Sequence, residues 1–172
     1  MRFAVLQALQ RIQLRWPSES PKIFEKLLAV SFDLKRGGFE VESKSTEGVD
    51  ICLVRNGMKY AVEVKTTSGS CVAFQDKDVE GLLEKQHRDG YIPCVAALRV
   101  DLLEDWVIAN ATRLVADQYT PARLSLDSIP ELESIVRINF ERALMELLDS
   151  ILSPPSGSPL SFLADVLAKE SS

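Results

Sequence analysis

Residues 49–66 constrain this chain more than any other stretch. Two apolar-rich runs, Val49 to Val54 and Met58 to Thr66, flank Arg55-Asn56-Gly57, and an Asn-Gly pair between alternating runs is a strong signal for a tight β-hairpin. With Asn56 and Gly57 as the two turn residues, Asp50 falls directly opposite Glu63. One face of the hairpin then carries Ile51, Leu53, Met58, Tyr60, Val62 and Val64. The other carries Asp50, Cys52, Val54, Lys59, Ala61, Glu63 and Lys65. A slip of one residue would turn the apolar set outward, so the pattern pins the register.

Cross-strand partners have Cβ atoms roughly 4.5–5.5 Å apart, and like charges there destabilise unless something compensates them. The pair Asp50 and Glu63 therefore invites a hard divalent cation with oxygen ligands, Mg²⁺ or Mn²⁺. The backbone carbonyl of Val64 offers a further ligand. Lys65 lies two residues beyond Glu63 and so points to the same side, where its ammonium would orient a water or stabilise charge on a phosphoryl oxygen. A metal so placed would lower the pKa of bound water and act as a Lewis acid at a phosphate. The plainer alternative reads Asp50 as a turn residue and Glu63 and Lys65 as a solvated strand face, because Glu-x-Lys alone says little. The chain has one histidine, His87, which reads as a surface helix residue. Zinc hydrolases and histidine-dependent nucleophilic catalysts need more.

Around the hairpin, Phe3, Leu6, Leu9, Ile12 and Trp16 give a helix over 2–16 that Pro17 ends. Although the segment Met1 to Leu9 superficially resembles a signal peptide, Gln7 and Gln10 interrupt its apolar stretch, which favours an ordinary amphipathic helix. Ser20-Pro21 reads as an N-cap followed by a first-turn proline, opening a helix that runs to Gly37-Gly38. Phe39 to Glu42 alternates as a strand. Further strands are expected at 71–75, 93–100 and 105–109, a helix at 77–88, a weakly defined stretch at 110–129 and a helix from Pro130 to Leu152. A Pro/Ser/Gly linker at 153–159 precedes a short helix over 160–169. This order implies an α/β fold with a central mixed sheet flanked by helices.

Charge argues at first against nucleic acid: 20 basic against 25 acidic residues leave −5. The distribution changes that reading, because residues 1–65 carry +3 and the remainder −8. Any phosphate-binding face must come from the first part. Arg2, Arg11 and Arg15 share one broad face of the first helix, a solvated face by default and a DNA-backbone contact otherwise. No apolar run approaches the roughly 18 residues that a membrane span needs. Cys52, Cys71 and Cys94, odd in number and set among apolar residues, read as buried free thiols of a cytoplasmic protein.

The residues resemble the PD-(D/E)xK nuclease superfamily, and within it the archaeal Holliday-junction resolvases, over about residues 20–100. The likeness is carried by Phe24-Glu25-Lys26-Leu27-Leu28, Gly38-Phe39-Glu40-Val41, Gly48-Val49-Asp50-Ile51 and Tyr60-Ala61-Val62-Glu63-Val64-Lys65, with Val49 in place of the proline in the motif's name. It implies a restriction-endonuclease-like core in which Glu25, on the preceding helix, completes a metal site with Asp50 and Glu63. Lys65 would then be the catalytic lysine. The resemblance also implies phosphodiester hydrolysis, DNA contacts from Ser43, Lys44 and Ser45, and a homodimer with two such sites; Gln75 is a further candidate at the site's edge.

The expected organisation is an N-terminal helix (1–19), a nuclease core (20–110) and a mainly helical C-terminal extension (111–172). The expected activity is that of a Mg²⁺- or Mn²⁺-dependent DNA endonuclease on branched or structured DNA, in repair or recombination. The competing expectations are a restriction- or repair-type nuclease on duplex or single-stranded DNA, and a non-catalytic nuclease-fold protein that binds DNA or assembles with partners.

Overall fold

In the computed structural model, which describes residues 3–42 and 48–170, the hairpin lies at the centre of the sheet. Strand β2 (Ile51–Arg55) pairs antiparallel with β3 (Met58–Thr67), Arg55 opposite Met58 and Ile51 opposite Val62. This is the register that the turn dictates. Asn56 and Gly57 take φ values of 51° and 80°, as the mirror-image hairpin turn requires of both central residues.

β1 (Glu40–Glu42) adds antiparallel to β2, β5 (Ile92–Arg99) parallel to β3, and β6 (Val107–Asn110) antiparallel to β5, giving the order β1-β2-β3-β5-β6. Parallel neighbours need a crossover. Here it runs through β4 (Val72–Phe74) and α3 (Asp76–Asp89). β4 leaves the main sheet and pairs with β7 (Asp117–Tyr119) in a small second sheet. The sequence pattern gives no strand between 110 and 129. β7 forms there because Tyr119 packs edge-on against Phe74, ring centroids 5.9 Å apart, a contact that no local periodicity encodes. The short α4 (Pro121–Leu124), capped by the Thr120 hydroxyl accepting from the Arg123 N–H, then leads through a 3₁₀ turn to α5 (Pro130–Leu152).

The two faces of the sheet differ in the size of their side chains. Ile51, Leu53, Val62, Val64 and Leu98 pack under α1 (Phe3–Arg15), α2 (Ser20–Phe32), α5 and α6 (Pro159–Glu170). Cys52, Ala61, Val95, Ala97 and Ala109 form the other face, small enough for Leu82 of α3, Val72 and Phe74 to approach closely. The helices flanking residues 20–110 thus share one core with the sheet.

Several local expectations change. α1 buries Val5, Ala8, Leu9 and Ile12 and leaves Phe3 65% exposed, so its buried stripe is rotated toward the smaller side chains. Half-buried Trp16 donates from Nε1 to the Ile151 carbonyl (2.9 Å) at the end of α5. Glu19, not Ser20, is the N-cap of α2. That helix stops at Phe32 rather than Gly37, because Asp33 turns out of helical geometry and its backbone and side-chain oxygens accept the N–H groups of Arg36, Gly37 and Gly38. Cys52 and Cys94 are buried, Cys71 only partly, and all three are free. His87 is exposed on α3, as expected. Among the described residues no helix is long and apolar enough to cross a membrane.

Candidate active site

α2 is buried nearly all round, lying between the sheet and the helices α5 and α6. An acidic residue on such a helix is costly unless it is partnered. Glu25 is 4% exposed, and its side chain comes to the end of the β2–β3 ladder. Asp50 sits one residue before β2, where the strands begin to part, and its Oδ2 accepts the Val64 N–H at 2.8 Å. Glu63, in β3, is 6% exposed. Together with Pro21, Lys22, Gly48, Val49, Val64, Lys65, Thr66, Lys77 and Asp78, these residues line an open pocket of about 500 Å³.

Two lysines neutralise the acids. The Lys22 ammonium lies 2.6 Å from Glu25 Oε2 and 3.0 Å from Asp50 Oδ1, and that of Lys65 lies 2.6 Å from Glu63 Oε1 and 3.0 Å from Asp78 Oδ2. Burial, reinforced by the Asp50 charge, pushes both Glu25 and Glu63 up to about 7. Burial alone would lower Lys65, but the hydrogen bonds and charges of Glu63 and Asp78 outweigh it and hold the ammonium above its ordinary value. Asp78 is driven the other way: burial opposes ionisation, yet the Gln75 N–H and Lys65 keep its carboxyl below the usual range.

The pocket thus gathers Glu25, Asp50, Glu63, Val64 and Lys65. Gln75 lies apart at the N-cap of α3, in a neighbouring depression, where its backbone N–H donates to Asp78 Oδ2 at 2.8 Å. Ser43, Lys44, Ser45 and Arg2 fall outside the described residues. Sequence reasoning missed Lys22 and Asp78. Lys22-x-x-Glu25 looks like an ordinary helix-surface pair, and Asp78, three residues after Gln75, looks like a helix-capping acid; each does that local job and also reaches a residue distant in sequence.

The basic excess of residues 1–65 reaches the pocket only in part. Arg36 bonds Asp33 and Glu146, and Arg55 bonds Glu131, so these two guanidiniums tie the α2–β1 turn and β2 to α5.

α3 fixes the approach to Asp50. Gly81 faces Gly48 so closely that an added Cβ would lie 2.0 Å from the Gly48 carbonyl oxygen, and Gly48 itself has φ +72°. Gly81→Ala is therefore expected to push Gly48, and Asp50 with it, away from β3. The cost should be on the order of 3 kcal/mol, at the upper end of ordinary overpacking. Thermal unfolding measures it, and an unchanged midpoint would contradict this packing.

Among the described residues no group of three His, Cys, Asp or Glu side chains is gathered tightly enough to enclose a metal as the chain stands. The donor set nonetheless fits a hard divalent cation by type: three carboxylates and the Val64 carbonyl. An ammonium already lies between two of them, which marks the position as one that favours positive charge.

No family model matches the chain, and no curated protein matches it. Among solved structures it is similar to Archaeoglobus fulgidus Hjc, a Holliday junction resolvase from an archaeal hyperthermophile. The two are 20% identical, with a TM-score of 0.54, over 66% of this chain and 95% of that one. The likeness shows a shared fold, a restriction-endonuclease-like arrangement with a central mixed sheet flanked by helices.

Proposed function

We propose that this protein is a metal-dependent DNA endonuclease of the PD-(D/E)xK type that hydrolyses phosphodiester bonds in branched or otherwise structured DNA, as a cytoplasmic homodimer. The observation that carries the reading is the convergence of Glu25 from α2, Asp50 from just before β2, and Glu63 and Lys65 from β3 on one pocket. The resolvase-like fold supports the choice of substrate class.

Glu25, Asp50, Glu63 and the Val64 carbonyl would hold Mg²⁺ or Mn²⁺, which when bound supplies Lewis acidity and a more acidic water. The chain's own contribution is positional. Asp50 is oriented by the Val64 N–H, so its remaining oxygen faces the pocket. Lys65, tethered between Glu63 and Asp78, presents fixed positive charge where a phosphoryl oxygen gains negative charge or an attacking water needs a donor. Asp78 is a positioning residue for that lysine.

A second reading, a non-catalytic nuclease-fold protein, is favoured by the internal pairing of the acids with Lys22 and Lys65. Labelled four-way junctions, flaps, duplex and single strands, incubated with Mg²⁺ or Mn²⁺, separate the two readings. Cleavage by the wild type should be lost in Asp50→Asn, strongest on branched substrates, and DNA affinity should fall steeply with salt. Equal activity in wild type and Asp50→Asn overturns the proposal, and a preference for linear duplex or single strands moves it to a restriction- or repair-type nuclease.

A further inference from the structure

We propose that Lys22 is a tethered counter-cation: its ammonium holds the Glu25–Asp50 side of the pocket and must leave before a divalent ion can be bound there. The inference rests on the metal-dependent reading above and concerns how that site is loaded.

The two oxygens of Asp50 have different partners. Oδ2 accepts from the Val64 backbone at 2.8 Å, and Oδ1 accepts from Lys22 at 3.0 Å. The backbone donor is fixed by β3, so Oδ1 is the oxygen a metal would use, and Lys22 holds it. The same ammonium takes Glu25 Oε2 at 2.6 Å. Its grip spans α2 and the start of β2, beyond what an isolated i,i+3 helix pair provides.

An ammonium and a divalent ion compete for the same lone pairs, and only one of them can stand between Glu25 and Asp50. Lys22 is suited to leaving: its side chain is 47% exposed, on a flexible four-carbon stem at the rim of the pocket. Lys65 differs. Its side chain is 27% exposed and has a second tether in Asp78, outside the Glu25–Asp50 pair, so it stays when the ion enters. Of the two cations paired with the acids of the pocket, one is therefore displaceable and one retained. Displacing the first lowers the apparent metal affinity by the strength of its two charge-assisted bonds.

Calorimetric titration of the full chain with Mn²⁺ tests this. Lys22→Met keeps the stem and removes the charge; it should bind Mn²⁺ at least about tenfold more tightly than the wild type, each such factor being about 1.4 kcal/mol. Lys22→Arg, which retains a cation, should stay near the wild type, and the gain should vanish in Lys22→Met/Asp50→Asn. A second measurement needs no variant at Lys22: added Mn²⁺ should raise acylation of Lys22 by an amine-reactive label, read by mass spectrometry, and Asp50→Asn should abolish the rise. Equal or weaker Mn²⁺ binding by Lys22→Met overturns the proposal and leaves the metal-dependent reading standing. If neither protein binds Mn²⁺, both fall.

Discussion

Metal-free protein is expected to lose stability as the pH rises from about 5 to 8, the reverse of the usual behaviour of paired carboxylates. Glu25 and Glu63 are both raised from 4.5 to about 7, first by burial and then by the Asp50 charge. The folded state therefore binds more protons than the unfolded state between those values. That contribution is complete below pH 4.5 and is lost as the pH passes 7. Each pKa unit corresponds to about 1.4 kcal/mol, so each carboxyl accounts for about 3 kcal/mol at most. Asp78 has the opposite sign, its pKa lying below 3.8, and weakens the fold only at more acidic pH. A divalent ion should reverse the trend, because its ligands must be deprotonated. Millimolar Mn²⁺ should raise the unfolding midpoint strongly at pH 8 and little at pH 5.5, and Glu63→Gln should flatten both dependences. Stability that rises across this window, or a Mn²⁺ shift independent of pH, would contradict the assignment of Glu25 and Glu63 as buried, proton-binding ligands.

The second large effect concerns Lys65. Lys65→Met retains most of the side chain's volume but removes the charge that Glu63 and Asp78 hold 2.6 and 3.0 Å away. Losing one preorganised donor to a developing oxyanion costs on the order of 10²–10³ in rate, and single-turnover cleavage of a four-way junction should fall by that much. DNA affinity should change only a few-fold, since one charge contributes modestly to a multi-phosphate contact. Asp78→Asn keeps the shape of the tether and weakens it, and its rate should fall between the two. A Lys65→Met variant that cleaves at the wild-type rate would remove Lys65 from the chemistry and return Glu-x-Lys to a solvated strand face.

The parts of the site legible in the sequence are those that the hairpin imposes. A two-residue turn at Asn56-Gly57 sets every pairing down to Ile51 with Val62, and from it the proximity of Asp50, Glu63 and Lys65 follows by counting. Glu25 is legible only through motif resemblance, since an acid flanked by Lys22 and Lys26 looks from sequence alone like any helix-surface glutamate, although α2 is buried nearly all round. Lys22 and Asp78 were not legible, because their decisive contacts join α2 to the start of β2 and α3 to β3, separations of 28 and 13 residues. β7 is hidden from the sequence for the same reason: its partner β4 lies 45 residues earlier, pairing Tyr119 with Val72 and Gln118 with Ala73. The end of α2 at Phe32 is not legible because Asp33 has no glycine or proline beside it to announce the turn that its carboxylate stabilises.

Charge behaved in a similar way. The +3 of the first 65 residues holds a real asymmetry, but Arg36 and Arg55 serve the junction with α5, and among the described residues of that segment the positive charge lining the pocket comes from Lys22 and Lys65. In the proposed mechanism Lys22 is paired with acids until the metal arrives, and Lys65 stays tethered to Asp78. The acidic balance is therefore compatible with DNA as a substrate when the anions of the site are themselves metal ligands.

The proposed function requires that this pocket break phosphodiester bonds through its carboxylates. One measurement addresses that directly: the time course of cleavage of a labelled four-way junction in Mg²⁺ by the wild type and by Glu63→Gln, each repeated with EDTA. Nicked product is expected from the wild type in Mg²⁺ alone, with none above background in the other three reactions. Equal product from Glu63→Gln, or product that persists in EDTA, would contradict it.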